Sequence, residues 1–478
     1  MTFFVFFFVS LTLFHALRTT GSRQAVLLGI NAVFIGSFAP SLISVLPLFG
    51  FVLLGYGLIR ILHRHPRQDL LFCFIVILVL LFAYLKRYSI VDFLPELPFA
   101  CLSIGLSYIL FRMLQLLLDL QSGALTSPPG LALYLNYIFF FLNFISGPIQ
   151  RHQDFLAQWH GPGLEGVSRE EIFSAFSRIL DGIIKVSLFS VLLLEAFNAY
   201  EKTVLMKIAA HGTERFGLMF AHGMASLLYL LYLYMNFSGY MDMVIGCGRL
   251  FGFVLPENFN RPFQAENFLE LWSRWHITLS EWFKWYFFNP LLKWLKYRLV
   301  SPVIGPYLVV LCLFATFLLL GVWHGTTKAF LLFGLLQAIG TSANKLYQLW
   351  TRAWLGRDGY GRLKGRHWYR ALCRGLMFSY FSLSLTCLFL DAWQIRLLVE
   401  GLGVEGLAGA FFGVVGASIM LLGVVDVVQG WWNRRMTGAV PLAHRFFVGN
   451  MWLATKVMLL FNALWMDNAS PVFVYQGF

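Results

Sequence analysis

The sequence predicts an all-α polytopic membrane protein. Three observations carry that prediction. Hydrophobic residues make up 59% of the chain, including 50 Phe, and charged residues only 12%. The mean hydropathy is +0.71, too apolar to cover a soluble surface. Finally, the basic residues gather in short stretches between long apolar runs. That last pattern also decides what the net charge of +13 means. A cationic chain suits nucleic acid, but cations confined to inter-span loops follow the positive-inside rule, and no nucleic-acid partner is expected. No polar stretch is long enough to be a soluble domain, so residues 1–478 read as a single integral membrane domain.

The elements follow from the apolar runs and the basic clusters. Met1 to Phe14 has no positive leading region and is followed by Arg18 and Arg23, so it reads as a retained span at about 2–17 rather than a cleavable leader. Spans at 24–39 and 41–61 turn near Pro40, and spans at 69–85 and 97–118 turn near Pro95. Counting from the other end, Arg352 through Arg374 reads as a cytoplasmic loop, with spans at 375–390, 406–428 and 446–465 around Arg434 and Arg435. With every basic cluster on the cytoplasmic side, both termini are extracytoplasmic. The six cysteines, at 73, 101, 247, 312, 373 and 387, have no metal-ligand or redox spacing and read as small hydrophobes; no metal site is expected.

The middle of the chain resists simple counting. Runs at about 130–149, 172–198, 216–236, 241–255 and 286–298 are interrupted by Pro148, Asp181, Lys185, Glu195, Asp242 and Arg249. Charges and broken backbone at membrane depth are tolerated only inside protein or beside a wet cavity, so these interruptions point to re-entrant segments around a central site. No internal repeat is visible, which argues against an inverted-repeat transporter.

Four segments could carry chemistry. Ser146-Gly147-Pro148-Ile149 breaks a helix; it serves equally as an interfacial helix end. Tyr234 through Asp242 places an acid and hydroxyls in an apolar run, where Asp242 more readily ties helices together than binds substrate. From Phe268 to Phe288 a helical pattern puts Trp272, Trp275, Leu279, Trp282 and Phe283 on one side and Arg274, Thr278 and Glu281 on another. His276 lies one turn after Trp272, on the aromatic side and away from Arg274, where desolvation favours a neutral ring; the plainer reading is a bystander in an interfacial tryptophan belt. Lastly, the uncharged run from Ser301 ends at Trp323-His324-Gly325, an ionisable ring at the edge of a span. Alone, His324 is more simply a structural histidine.

Taken in order, Ser146-Gly147-Pro148-Ile149, Phe237-Ser238-Gly239-Tyr240-Met241-Asp242, Asn258-Phe259-Asn260-Arg261-Pro262, Trp272-Ser273-Arg274-Trp275-His276 and Val322-Trp323-His324-Gly325 resemble the membrane-bound O-acyltransferase (MBOAT) family. Within it they resemble the bacterial polysaccharide branch of alginate O-acetyltransferases and teichoic acid D-alanyltransferases. The resemblance covers roughly residues 100–330, with 1–99 and 375–478 as flanking helices. It implies about 11 transmembrane helices plus re-entrant or interfacial helices around a central tunnel. It makes His324 the essential histidine and His276 the second. Asn258, Arg261, Trp272, Arg274, Trp275, Trp323 and Asp242 are candidates to line the tunnel.

The implied reaction moves an acetyl or similarly short acyl group from a cytoplasmic thioester to hydroxyls of an exported or cell-envelope polysaccharide, with no bound cofactor. The donor is acetyl-CoA or an acyl carrier protein, to which the basic residues Arg357, Arg362, Lys364, Arg366 and Arg370 would be attracted. The acceptor is reached directly or through a second extracytoplasmic acyltransferase, and the implied location is the bacterial inner membrane, in contact with its lipids. An imidazole suits the chemistry, because its unperturbed pKa near ~6.5 lets it take a hydroxyl proton near neutrality. No Ser or Cys stands in a recognisable nucleophile motif, which favours direct transfer. The alternatives are a transporter or flippase of an acyl carrier or polymer, or a family member acting on lipid or protein.

Overall fold

In a computed structural model the chain is described over residues 2–88, 101–159, 166–209, 215–299 and 303–437, with isolated positions at 91, 93–95, 97, 99, 301, 455, 456, 458 and 459. The described residues are helical and contain no strand beyond one isolated bridge. They fall into two compact units, one from Met1–Ile179 with Met241–Glu257, the other from Leu180–Tyr240 with Asn258 onward. Six described helices are long and apolar enough to cross a membrane: Leu42–Arg64, Gln68–Leu85, Arg215–Leu250, Gly305–His324, His367–Phe389 and Ala392–Val428. Shorter apolar helices accompany them. The protein is a multi-pass membrane protein.

The first unit opens with α1 (Thr2–Ala16), α2 (Thr20–Gly36), α3 (Leu42–Arg64) and α4 (Gln68–Leu85), close to the expected bounds. Ser41 caps α3 reciprocally with Ser44, which fixes the turn after Pro40. The following helix, α5 (Leu106–Gln121), starts later than the expected span at 97–118. The run at 130–149 is broken into α6 (Leu131–Ile138), a 3₁₀ turn at Phe141–Asn143 and an irregular stretch through Gly147-Pro148.

Arg112 on α5 compensates that break. Buried at 1% exposure, it donates from Nη1 to the carbonyls of Tyr137 and Ile138 at 2.8 and 2.7 Å. Its Nη2 donates to the Asn143 carbonyl at 3.1 Å and to Asn143 Oδ1 at 2.5 Å. Carbonyls released from the helix are thus satisfied by a buried side chain. Then come α7 (His152–Gln158) and α8 (Arg169–Ile184). Arg178 of α8 pairs with Asp242 at 3.0 Å and Glu257 at 2.6 Å.

A π-helical turn, Lys185–Phe189, joins α8 to α9 (Ser190–Ala209). The next helix corrects the sequence reading. Residues 216–236 and 241–250, expected in separate segments, belong to one continuous helix, α10 (Arg215–Leu250), and only 251–255 of the second segment lie beyond it. Nothing between 236 and 241 can end a helix, since Gly239 removes no hydrogen bond and no proline follows. At 36 residues α10 is about 54 Å long by its helical rise, more than a bilayer's hydrocarbon thickness.

In the second unit, α11 (Phe268–Arg274) and α12 (Ile277–Phe283) precede a π-helical turn and α13 (Asn289–Arg298). They are followed by the hairpin of α14 (Gly305–His324) and α15 (Lys328–Gly365). That hairpin is tight because glycines face each other: a methyl added to Gly321 would overlap the Cα of Gly334.

The expected loop from Arg352 to Arg374 is corrected as well. It is helical, α15 continuing past a kink at Gly356 (φ 70°) to Gly365 and α16 (His367–Ser384) starting two residues later. Arginine and lysine are good helix formers, so a basic run need not be a loop. Gln337, Thr341 and Ser342 dilute the hydropathy of the first turns of α15, although all three are buried. Gln337 donates to Ser384 Oγ at 2.7 Å. The unit ends with α17 (Thr386–Phe389) and α18 (Ala392–Thr437), the latter starting before the expected 406–428 and kinked at Gly403. The expected span at 446–465 and the C-terminus lie outside the described residues, apart from four positions.

Candidate active site

The site grows from a break that periodicity concealed. The pattern from Phe268 to Phe288 reads as one helix, but Trp275 is extended (φ −113°, ψ 128°) and His276 is left-handed (φ 47°, ψ 49°). A β-carbon makes that conformation costly for a non-glycine residue, by about 1–3 kcal/mol, so its surroundings must impose it. They do so through the segment 258–260, which pairs with the break as a short antiparallel bridge. Asn260 N–H donates to the Arg274 carbonyl at 2.9 Å, Ile277 N–H donates to the Asn258 carbonyl at 3.0 Å, and Phe259 stands opposite Trp275. Asn267 caps α11 by accepting from Glu270 N–H.

The Asn258 side chain organises the interior of this bridge. It is fully buried, and its Oδ1 accepts from Thr278 N–H at 3.1 Å and Thr278 Oγ1 at 3.0 Å. The same oxygen lies 3.3 Å from His276 Nδ1. A backbone N–H can only donate, so the atom facing it is the amide oxygen, and the ring nitrogen sharing that oxygen must carry a proton. Neutral His276 therefore holds its proton on Nδ1 and its lone pair on Nε2.

His276 lies outside the spanning helices, in the α11–α12 turn, and is fully buried. Burial first, and then the neighbouring His324, hold its imidazole well below the ordinary histidine range. The ring packs edge-on against Phe237 of α10 with centroids 4.9 Å apart.

His324 is the last residue of α14, 7% exposed, where the tight α14–α15 hairpin turns. Its ring lies 4.7 Å from Trp323 and 5.5 Å from Phe333 of α15. Trp323 in turn lies 6.5 Å from His276, so one indole contacts both histidine rings. Two buried imidazoles thus contact one indole among aromatic side chains.

The other candidates are distributed differently. Trp272 packs on Phe317 at 5.0 Å, and Trp275 on Phe259 and Phe381 at 5.2 and 5.4 Å, forming the wall behind the break. Arg274 donates to Glu270 at 2.9 Å and to the Asn260 carbonyl at 3.2 Å, which secures the bridge. Arg261 is exposed and left-handed (φ 46°), immediately before Pro262. Asp242 belongs to the first unit, where it pairs with Arg178.

Thr278, assigned by periodicity to the polar face with Glu281, is instead 5% exposed and bonded to Asn258, because the break at His276 rotates everything after it. Phe237 falls within the Phe237–Asp242 motif, but no sequence signal marks it or Phe333 as a histidine contact. Cys312 is buried on α14, twelve residues before His324, or about 18 Å along the helix by its rise, too far to act as a nucleophile beside that ring. No cluster of metal-ligating side chains occurs among the described residues.

The fold and site define an α-helical integral-membrane protein with a buried histidine pair at an aromatic break. Residues 64–390, more than half of the chain, match the MBOAT, membrane-bound O-acyltransferase family, and the chain belongs to it. It is 29% identical over 257 residues to a teichoic acid D-alanyltransferase of Bacillus subtilis (strain 168), covering 52% of this chain and 60% of the relative. A peptidoglycan O-acetyltransferase of Helicobacter pylori is 33% identical over 226 residues, 46% of this chain and 38% of the relative. A probable alginate O-acetylase AlgI of Pseudomonas putida is 29% identical over 238 residues, 49% of this chain and 44% of the relative. The matches thus span between 38% and 60% of these relatives' lengths.

Proposed function

We propose that the protein transfers an acetyl or similarly short acyl group from a thioester to hydroxyl groups of an exported or cell-envelope polysaccharide. The observation that carries this reading is the pair of buried histidines in contact with Trp323, one of them with its Nδ1 facing the Asn258 oxygen. The three relatives named above, whose names specify teichoic acid, peptidoglycan and alginate, support a polymer acceptor.

In the proposed reaction His324 takes the proton of the acceptor hydroxyl as its oxygen attacks the thioester carbonyl carbon. The carbon–sulfur bond breaks, the departing thiolate takes that proton from His324, and the products are an ester and a free thiol. His276 acts beside it: its Nε2 lone pair can orient the acceptor hydroxyl or share its proton. Transfer is direct, without an acyl-enzyme intermediate. The donor is coenzyme A or an acyl carrier protein approaching from the cytoplasm, and the acceptor is reached directly or through a second extracytoplasmic acyltransferase. The protein resides in the bacterial inner membrane with its basic clusters inside.

Inverted membrane vesicles supplied with radiolabelled acetyl-CoA, or with an acyl carrier protein charged with labelled acyl groups, test this reading. Label should appear in alkali-labile linkage to polymer with wild type and not with His324→Ala. Equal labelling by both would overturn it.

A further inference from the structure

Within the second unit a cavity of about 460 Å³ lies between α15 and α16, and two of the basic residues expected to draw the acyl donor, Lys364 and Arg370, line it. Its two ends differ in chemistry. At one end are Lys364 and Arg370, with Tyr347 and Tyr369 sharing a hydroxyl–hydroxyl hydrogen bond of 2.9 Å at their side. The rest of the lining is mostly apolar, with Ile339, Leu372, Leu376, Met377 and Phe411 beside the polar Asn344 and Tyr380. Arg370 is only partly engaged: Nη1 lies 3.6 Å from Glu266 Oε1, Nη2 lies 2.9 Å from His367 Nδ1, and Nε is buried without a partner. Glu266 is the one carboxylate on the lining, against two cations.

The depth of the polar end follows from its neighbours. Trp350, Trp354 and Trp368 are 60, 84 and 57% exposed around the junction of α15 and α16, where Arg362, Arg366 and His367 also project. Exposed tryptophans beside basic residues mark the headgroup layer of a bilayer. The aliphatic end continues onto lipid-accessible positions, with Ile339, Leu372 and Leu376 all exposed. Basic pockets between helices at headgroup depth suit anionic lipid.

We propose that this cavity binds an anionic glycerophospholipid, its phosphate between Lys364 and Arg370 and one fatty acyl chain along Leu372, Leu376, Met377 and Ile339. Coenzyme A would also offer phosphate, but its pantetheine amides would run beside Ile339, Leu376, Met377 and Phe411, which offer no side-chain hydrogen-bond partner, whereas an acyl chain needs none.

Native mass spectrometry of the purified full chain, titrated with phosphatidylglycerol or phosphatidylcholine of matched chains, tests the proposal. Wild type should retain phosphatidylglycerol preferentially. The double variant Lys364→Ala/Arg370→Ala should lose that preference, by roughly fivefold for each cation. Ala343→Phe, which fills the cavity from α15, should lower retention of both lipids without touching a charge. Arg357→Ala/Arg362→Ala removes two cations that do not line the cavity and should leave retention unchanged. Equal retention of the two lipids by wild type, an equal loss in the Arg357/Arg362 variant, or displacement of phosphatidylglycerol by coenzyme A would each overturn the proposal.

Discussion

Asn258 Oδ1 and His276 Nδ1 lie 3.3 Å apart in a fully buried pair, and that contact leaves the ring's lone pair on Nε2 when the ring is neutral. Because Thr278 N–H fixes the oxygen's identity, the proposed function makes Asn258 a positioning residue for His276. Asn258→Leu leaves Nδ1 and Thr278 N–H without an acceptor. The cost of an unpaired buried group corresponds to roughly 5- to 100-fold in transfer rate. Asn258→Asp keeps an acceptor and adds negative charge, which raises the His276 pKa, so the acidic limb of its pH–rate profile should move to higher pH. A purely structural role would lower activity in both variants without moving that limb.

Thr278→Val is the milder companion, since Thr278 N–H still donates to Asn258 Oδ1. Activity should remain within a few-fold of wild type, and stability should fall by about 1 kcal/mol for the lost hydrogen bond. A thermal unfolding series in detergent, run beside the transfer assay, checks both.

Gly321→Ala should damage the protein more than its size suggests, because the added methyl meets the Gly334 backbone. Overpacking of this kind costs about 1–3 kcal/mol, and here it would separate α14 from α15 where the hairpin holds His324. Reduced melting temperature and reduced activity together are expected. An unchanged melting temperature would mean that the hairpin is looser than the structure has it.

His152, on the short helix α7, supplies a pH dependence. Burial pushes its imidazole down to about 4, although Asp119 pulls in the opposite direction. The unfolded chain takes up a proton near pH ~6.5 whereas the folded chain does not until about 4. The contribution to stability is therefore fully present above about 6.5 and lost as pH falls through that window. Melting temperatures measured between pH 7.5 and 5 should decline more steeply for wild type than for His152→Gln.

Several features of the site were legible in the sequence because local chemistry dictates them. The run from Ser301 to Trp323 has no charge to interrupt it, so α14 and the position of His324 at its end followed from hydropathy. Gly147-Pro148 announced broken backbone, and the partner that satisfies it, Arg112, could not be read because it lies on a different helix. Periodicity misled at His276: the aromatic spacing around it is helical, yet the Asn258–Asn260 segment pulls the backbone out of the helix through long-range hydrogen bonds. The same blindness to distant partners hid the roles of Thr278 and Phe333. Charge counting turned Arg352–Arg374 into a loop, although basic residues extend a helix as readily as they flank one.

The central claim is acyl transfer to an envelope polymer through the histidine pair. Mass spectrometry of ester-linked acyl groups on envelope and secreted polysaccharides tests it most directly, comparing wild type with His324→Ala and His276→Ala at matched membrane expression. The account predicts that one ester species disappears in His324→Ala, a loss of the about 10²- to 10⁴-fold expected for a missing general base, and falls sharply in His276→Ala. An unchanged ester profile in both variants would contradict it.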